Sequence, residues 1–193
     1  MKIKTLTGAA VAEALDDVAR LRLAVFRDWP YLYDGDYAYE RAYLAAYEHS
    51  DRALIVAVYD GDWLVGASTG APLAEHADDF AEAFSEVDID IARTFYCGES
   101  VLLPRYRSRG IGHTFFDTRE AFARGLGFDH ICFASVLRPQ DHPLRPDTYR
   151  PLDTFWEARG YARLPGVLAY FPWKDVDQVA ETEKPLQFWM RAL

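Results

Sequence analysis

Cysteine is scarce in this sequence, and positive charge is outnumbered. Only Cys97 and Cys132 occur, with no Cys-x-x-Cys pair and no histidine at short range. That excludes a disulfide framework and leaves no zinc-type constellation, so no metal is expected. Thirty acidic residues face 21 basic ones, a formal net charge of -9, which argues against nucleic acid as a partner. No apolar run is long enough to cross a bilayer, and the opening "MKIKTLTGAAVAEAL" has no continuous apolar core of the signal-peptide kind. A cytoplasmic chain with no membrane partner is the expectation.

What is present is a globular composition, half hydrophobic and about a quarter charged, over a length that suits one domain spanning 1–193. Alternation in residues 2–7 predicts a strand. Val11, Leu15, Val18, Leu21 (or Arg22) and Val25 recur at helical spacing from residue 9 to 26. A break at Pro30 and Asp34-Gly35 precedes a second helix near 36–47, whose Tyr39, Tyr43 and Tyr47 read as one packing face. Tyr31, Tyr33 and Asp34 lie in the break and are candidates for a substrate wall. "ALIVAVY", then Asp60-Gly61, then "DWLVGAST" reads as a hairpin. A helix carrying Phe80, Phe84 and Val87 follows, then "TFYCGESVLL" as one strand ended by Pro104. A helix after residue 110 and the strand "HICFASVL" come next. Residues 138–153 hold four prolines without periodicity, a long irregular link of the kind that often carries function. "TFWEAR", capped by Asp153 and closed by Gly160, is a short helix, and "VLAYFPW" and "LQFWM" are strands. The order predicts an α/β (α+β) domain around a mixed sheet.

The stretch "RYRSRGIGHTFF" sets Arg105, Arg107 and Arg109 beside Gly110 and Gly112 at the start of the helix. Unpaired N–H groups and the helix dipole favour an anion there, and glycine lets it approach without a Cβ in the way. A P-loop is excluded by spacing, and a dinucleotide fingerprint by Phe115 at its third glycine. "GASTG" (66–70) fits the serine-hydrolase pattern with Ser68. That pattern needs a strand-to-helix elbow, whereas Ser68 falls within a hairpin arm.

Arg107-Ser108-Arg109-Gly110-Ile111-Gly112, after the strand end Val101-Leu102-Leu103-Pro104, resembles the acyl-CoA signature Q/R-x-x-G-x-G/A of the GNAT superfamily of N-acetyltransferases. "TFWEARGY" is similar to the family's later aromatic–aromatic–x–x–x–Gly–aromatic helix. The resemblance implies a mostly antiparallel mixed sheet flanked by helices, with two splayed strands forming a slot for coenzyme A. It implies acetyl-CoA as cofactor, held by the main chain of Arg107, Ser108, Arg109, Gly110, Ile111, Gly112 and His113. Val101, Leu102 and Leu103 would pair with the pantetheine arm. An amine acceptor, small molecule or peptide, and a homodimer are implied as partners; a non-catalytic acyl-CoA-binding module is the alternative.

Amine acetylation needs a base, and Glu99, on the strand leading into the turn, is the first candidate. Tyr96 shares that strand and is placed with the acceptor. Trp156 stands where the family pattern carries a thiolate-protonating tyrosine, so Tyr149, His142 or water takes that role. Cys97 lacks an activating base and reads as core. Asp34, Asp36 and Glu40 hint at a cationic acceptor. Gly110→Asp, which adds a side chain and a negative charge to the cradle, is expected to weaken coenzyme A binding by well over tenfold (roughly 1.4 kcal/mol per tenfold) in a calorimetric titration.

Overall fold

The computed structural model describes the backbone of residues 1–193 and the side chains of all but Ala77, Asp78, Asp79 and Ala81. The strands are β1 (Lys2–Thr7), β2 (Leu54–Asp60), β3 (Trp63–Pro72), β4 (Thr94–Cys97), β5 (Ser100–Leu102), β6 (His130–Val136), β7 (Ala162–Lys174) and β8 (Glu181–Ala192). The helices are α1 (Ala9–Phe26), α2 (Tyr37–Glu48), α3 (Ala77–Phe84), α4 (Ile111–Gly125) and α5 (Asp153–Ala158). The sheet runs β1-β2-β3-β4-β6-β8-β7, with β5 also on β3. Only β4 and β6 pair in parallel; the other pairings are antiparallel.

The continuous apolar run of β2 follows from cover on both faces. Leu54, Val56 and Val58 pack with Phe115 of α4 and Trp189, while Ile55 and Ala57 pack with Val11, Leu15 and Val18 of α1. Each such side chain, fully buried, contributes about 1.5–3 kcal/mol. A third cluster sets Phe80 and Phe84 of α3 over Tyr96 and Phe188. The α1 stripe includes Arg22, buried like its apolar neighbours. Asp36 caps α2 by accepting from Tyr39 N at 3.0 Å. Asp153 does not cap α5. It is the first helical residue and pairs with Arg163.

The predicted strand over 94–103 is two strands. β3 meets β4 at Ala71↔Tyr96 and β5 at Ser68↔Ser100. Three steps along β3 therefore oppose four along its partner, one extra residue, and the chain bulges at Gly98–Glu99. Thr69 holds the bulge, its amide donating to Glu99 O (3.1 Å) and its Oγ1 accepting from Glu99 N (3.3 Å). The parallel ladder ends at Cys97↔Phe133. Beyond it β5 stays with β3 while β6 continues along β8 to Val136, so the sheet opens between them.

Gly98 is required at this opening. A Cβ there would stand 2.1 Å from the Tyr47 hydroxyl and 2.8 Å from Thr69 Oγ1, and Tyr47 is fully buried. Gly98→Ala is expected to cost about 1–3 kcal/mol of stability through overpacking, read as a lower urea midpoint with unchanged slope.

Candidate active site

Two features meet where the sheet opens. The first is the turn into α4. Ser108 and Gly110 both have positive φ, 60° and 78°, and successive backbone N–H groups in such turns form an anion-binding concavity. The helix begins with Thr114 N donating to Gly110 O. Among the described residues, the amides of residues 108–113 have no acceptor. Arg107 differs from the expectation, because its amide closes a turn on Pro104 O at 3.1 Å. A Cβ at Gly110 would meet nothing within 4 Å, and at Gly112 only Phe155 Cζ at 3.8 Å. Bare glycines thus keep the surface over these amides open, which fits a diphosphate. The guanidinium of Arg107 donates through Nε to Leu102 O (3.1 Å), and that of Arg109 through Nη2 to Arg105 O (2.9 Å). His113 lies beside Phe155 and within 3.3 Å of Arg159.

The expected pantetheine strand divides by ladder alternation. Leu103 N donates to Val65 O, and Glu99 O accepts from Thr69 N. Hydrogen-bonded pairs alternate in an antiparallel ladder, so Val101 and Leu103 turn their main-chain groups to β3, correcting their expected place. Ser100 and Leu102 turn theirs to the opening.

The second feature is a cavity of about 100 Å³ on the α1–α2 side. Gly98 and Ala134, the first residues past the last parallel pair, both line it. Tyr31, Tyr33 and Tyr96 line it too, as does Trp173. Tyr39 and Tyr43, expected only as a helix face, also border it, while Tyr47 alone of the three lies in the core. The cavity's charged lining is Arg22 and Glu40. Arg22 bridges Glu40 and Glu99, through Nε and Nη1, and stacks on Tyr43 and Phe26 at 4.7 and 4.9 Å. Burial alone would lower its pKa. Glu99 and Glu40 outweigh that and hold the guanidinium charged.

Glu99 is buried, and burial raises its pKa above the ordinary carboxylate value, an effect only partly offset by Arg22. Glu99 is not among the cavity-lining residues; its Oε2 meets Arg22, which does line the cavity, while Oε1 is buried with no hydrogen-bond partner among the described residues. Burial also pushes Tyr31 up to about 12 and Tyr96 well above the ordinary value. Cys97 is likewise pushed up to about 11 by burial and remains a thiol. Arg119 reaches the bulge from α4, with Nη1 on the carbonyls of Glu99 (3.2 Å) and Thr69 (3.4 Å).

Three expected residues stand elsewhere. Asp34 is held by Arg27 (2.9 Å) and Lys174 (2.6 Å) and does not line the cavity. His142 and Tyr149 also lie outside it, packed on Trp29 at 5.1 and 5.8 Å. Trp156 is half-buried and packs against the core at Phe133 and Trp189. Ser68 is buried in mid-β3, bonded to Glu99 O (3.0 Å) and near Ser100 Oγ (3.1 Å), without an elbow. Sequence reasoning missed Arg22 and Arg119 as site residues. The available signal was a cation at a periodic core position of a helix.

A model of the acetyltransferase (GNAT) family matches residues 16–146. The chain belongs to the GNAT family. No curated protein matches it in sequence. Among solved structures it is similar to a ribosomal-protein-alanine N-acetyltransferase from Brucella melitensis (11% identity, TM-score 0.56, all of both chains covered). It is also similar to the acetyltransferase yncA from Salmonella typhimurium, solved with acetyl-CoA (12% identity, TM-score 0.57, covering 100% of this chain and 95% of that one). A third is the PaiA N-acetyltransferase from Thermoplasma acidophilum in complex with coenzyme A (12% identity, TM-score 0.54, all of both chains covered). At such identities the likeness is one of fold. Family membership makes this GNAT chain an acetyl-CoA-dependent acetyltransferase, and the open amides at α4 fit that cofactor. Among the described residues, no helix is long and apolar enough to cross a membrane.

Arg22 is the group on which two buried carboxylates depend. Arg22→Met is expected to cost about 3–5 kcal/mol at neutral pH, the size of breaking a buried ion pair. The loss should shrink as pH falls, because protonation of Glu99 removes one of the unpaired charges, and urea unfolding at neutral and acid pH measures it.

Proposed function

We propose that this enzyme passes the acetyl group directly to an amine seated in the aromatic cavity, with both substrates bound together. The observation that carries the reading is the position of Gly98 and Ala134. They bound the cavity and also stand where β5 and β6 part. An amine in the cavity and a thioester in the opening would therefore meet without any intervening wall.

Bound acetyl-CoA would supply an activated carbonyl and a thiolate leaving group. The amides of residues 108–113 would hold its diphosphate, and the exposed arginines would add positive charge around it. The opening-facing amides of Ser100 and Leu102 serve the pantetheine arm and the thioester oxygen, where preorganised donors are most effective. Tyr31, Tyr33 and Tyr96 form the acceptor wall.

An alkyl amine, with a pKa of about 10, arrives protonated. Glu99 takes that proton through water, at the oxygen that Arg22 leaves unpaired. Its raised pKa makes it a better acceptor than an ordinary carboxylate, and Arg22 keeps the carboxylate ionised. Water, or Tyr149 or His142 from the proline-rich loop, would return a proton to sulfur, because the indole of Trp156 has none to give. The unpaired, buried cysteines suit a cytoplasmic setting.

The reading predicts a measurable pH profile. A base must be deprotonated to work, so kcat/KM with acetyl-CoA and a primary amine should fall as pH drops through the raised pKa of Glu99. The acid limb should lie above the ordinary value of 4.5. Glu99→Gln should lose about 10²–10⁴ of kcat/KM together with that limb. An unchanged profile in the variant would assign the base elsewhere.

A further inference from the structure

The charges around the cavity say what the acceptor carries besides its amine, an inference that rests on the acetyl-transfer reading above. Arg22 is the one basic side chain among the lining residues, and two carboxylates already hold it. Two further cations lie behind the Trp173 wall. Arg138 donates to Asp175, Pro30 O and Tyr31 O, with its guanidinium 5.7 Å from the Trp173 ring. Lys184 donates to Trp173 O, Thr182 O and Thr182 Oγ1 and lies 3.5 Å from Asp175. Arg119 comes from the opposite face of the sheet and is bonded to two backbone carbonyls. Arg138, Lys184 and Arg119 do not line the cavity, and the single charge of Arg22 is outnumbered by the two carboxylates it bridges.

The rest of the lining is mostly aromatic and apolar, its hydroxyls those of the tyrosines. Phe26 packs on Tyr31 at 4.3 Å, and Tyr31 stacks on Trp173 at 6.0 Å and 27°. Glu40 lines the cavity, and Arg22 joins it to Glu99, two carboxylates to one guanidinium. That excess of negative charge suits an ammonium, and aromatic faces suit both a cation and a planar apolar body.

We propose that the acceptor is an amine with a flat apolar body and no carboxylate near its nitrogen, an arylalkylamine rather than an amino acid. An α-carboxylate would enter beside Glu40, where Arg22 is already shared between two carboxylates, and the site would reject it by desolvation and repulsion.

Three probes separate charge from bulk. 2-Phenylethylamine, phenylalaninamide and phenylalanine share the ring and the amine, and only the last carries a carboxylate. Each is titrated calorimetrically at neutral pH into the full chain saturated with coenzyme A, and acetylation of each is followed in parallel. The expected result is binding of the first two with affinities within about tenfold of each other. Phenylalanine should bind at least about 30-fold more weakly than its amide, the scale of one buried unpaired charge. Phenylalanine binding as tightly as the amide, or no binding by any of the three, overturns the proposal. Discriminating binding without acetyl transfer would support it while sinking the transfer reading, so the two fail separately.

Discussion

The site depends on the end of one short parallel ladder. β4 and β6 stay together only as far as Cys97 and Phe133, because the extra residue at Gly98–Glu99 steers the chain back onto β3. A sheet cannot open in mid-face without leaving ladder groups exposed, and each such group is costly if buried. Here the cost is contained. Thr69 supplies a side-chain oxygen to Glu99 N, and the Glu99 carbonyl gathers Thr69 N, Ser68 Oγ and Arg119 Nη1. The groups left facing the gap belong to Ser100 and Leu102, where a ligand arm would run.

The same bulge governs the electrostatics. It places Glu99 on the α1 side, within reach of Arg22, so one guanidinium joins two buried carboxylates from α2 and the sheet. Such a cluster adds little net stability compared with apolar packing of equal volume. Its effect is to fix geometry: α1, α2 and the bulge cannot shift relative to one another without unpairing a buried charge. The cavity wall inherits that rigidity. On its far side Arg138 and Trp173 both donate to Tyr31 O, tying the Tyr31 loop to β7.

Much of this was legible in the sequence where the signal is local. The periodicity of 9–26 matches α1, and the glycine–arginine turn does open a helix with free amides. What failed was non-local. "TFYCGESVLL" reads as one strand because neither Gly98 nor Glu99 announces a bulge; only the count against β3 reveals it. The edges of β7 and β8 extend well past "VLAYFPW" and "LQFWM" because exposed ladder positions tolerate polar residues. Arg22 finds its partners 18 and 77 residues away, a distance no spacing rule covers. Asp34 pointed to cationic acceptors by its charge, but neighbours on either side neutralise it.

The place of Trp156 is then a consequence of packing. Its ring lies against Phe133 and Trp189, under the strand that carries Ala134. Trp156 is half-buried there, and its indole covers more of that apolar cluster than a tyrosine ring would. Tyr149 of the proline-rich loop rests edge-on against Trp29, outside the cavity. Aromatic mass has been put where the fold bears its load, and the polar work gathered around the bulge.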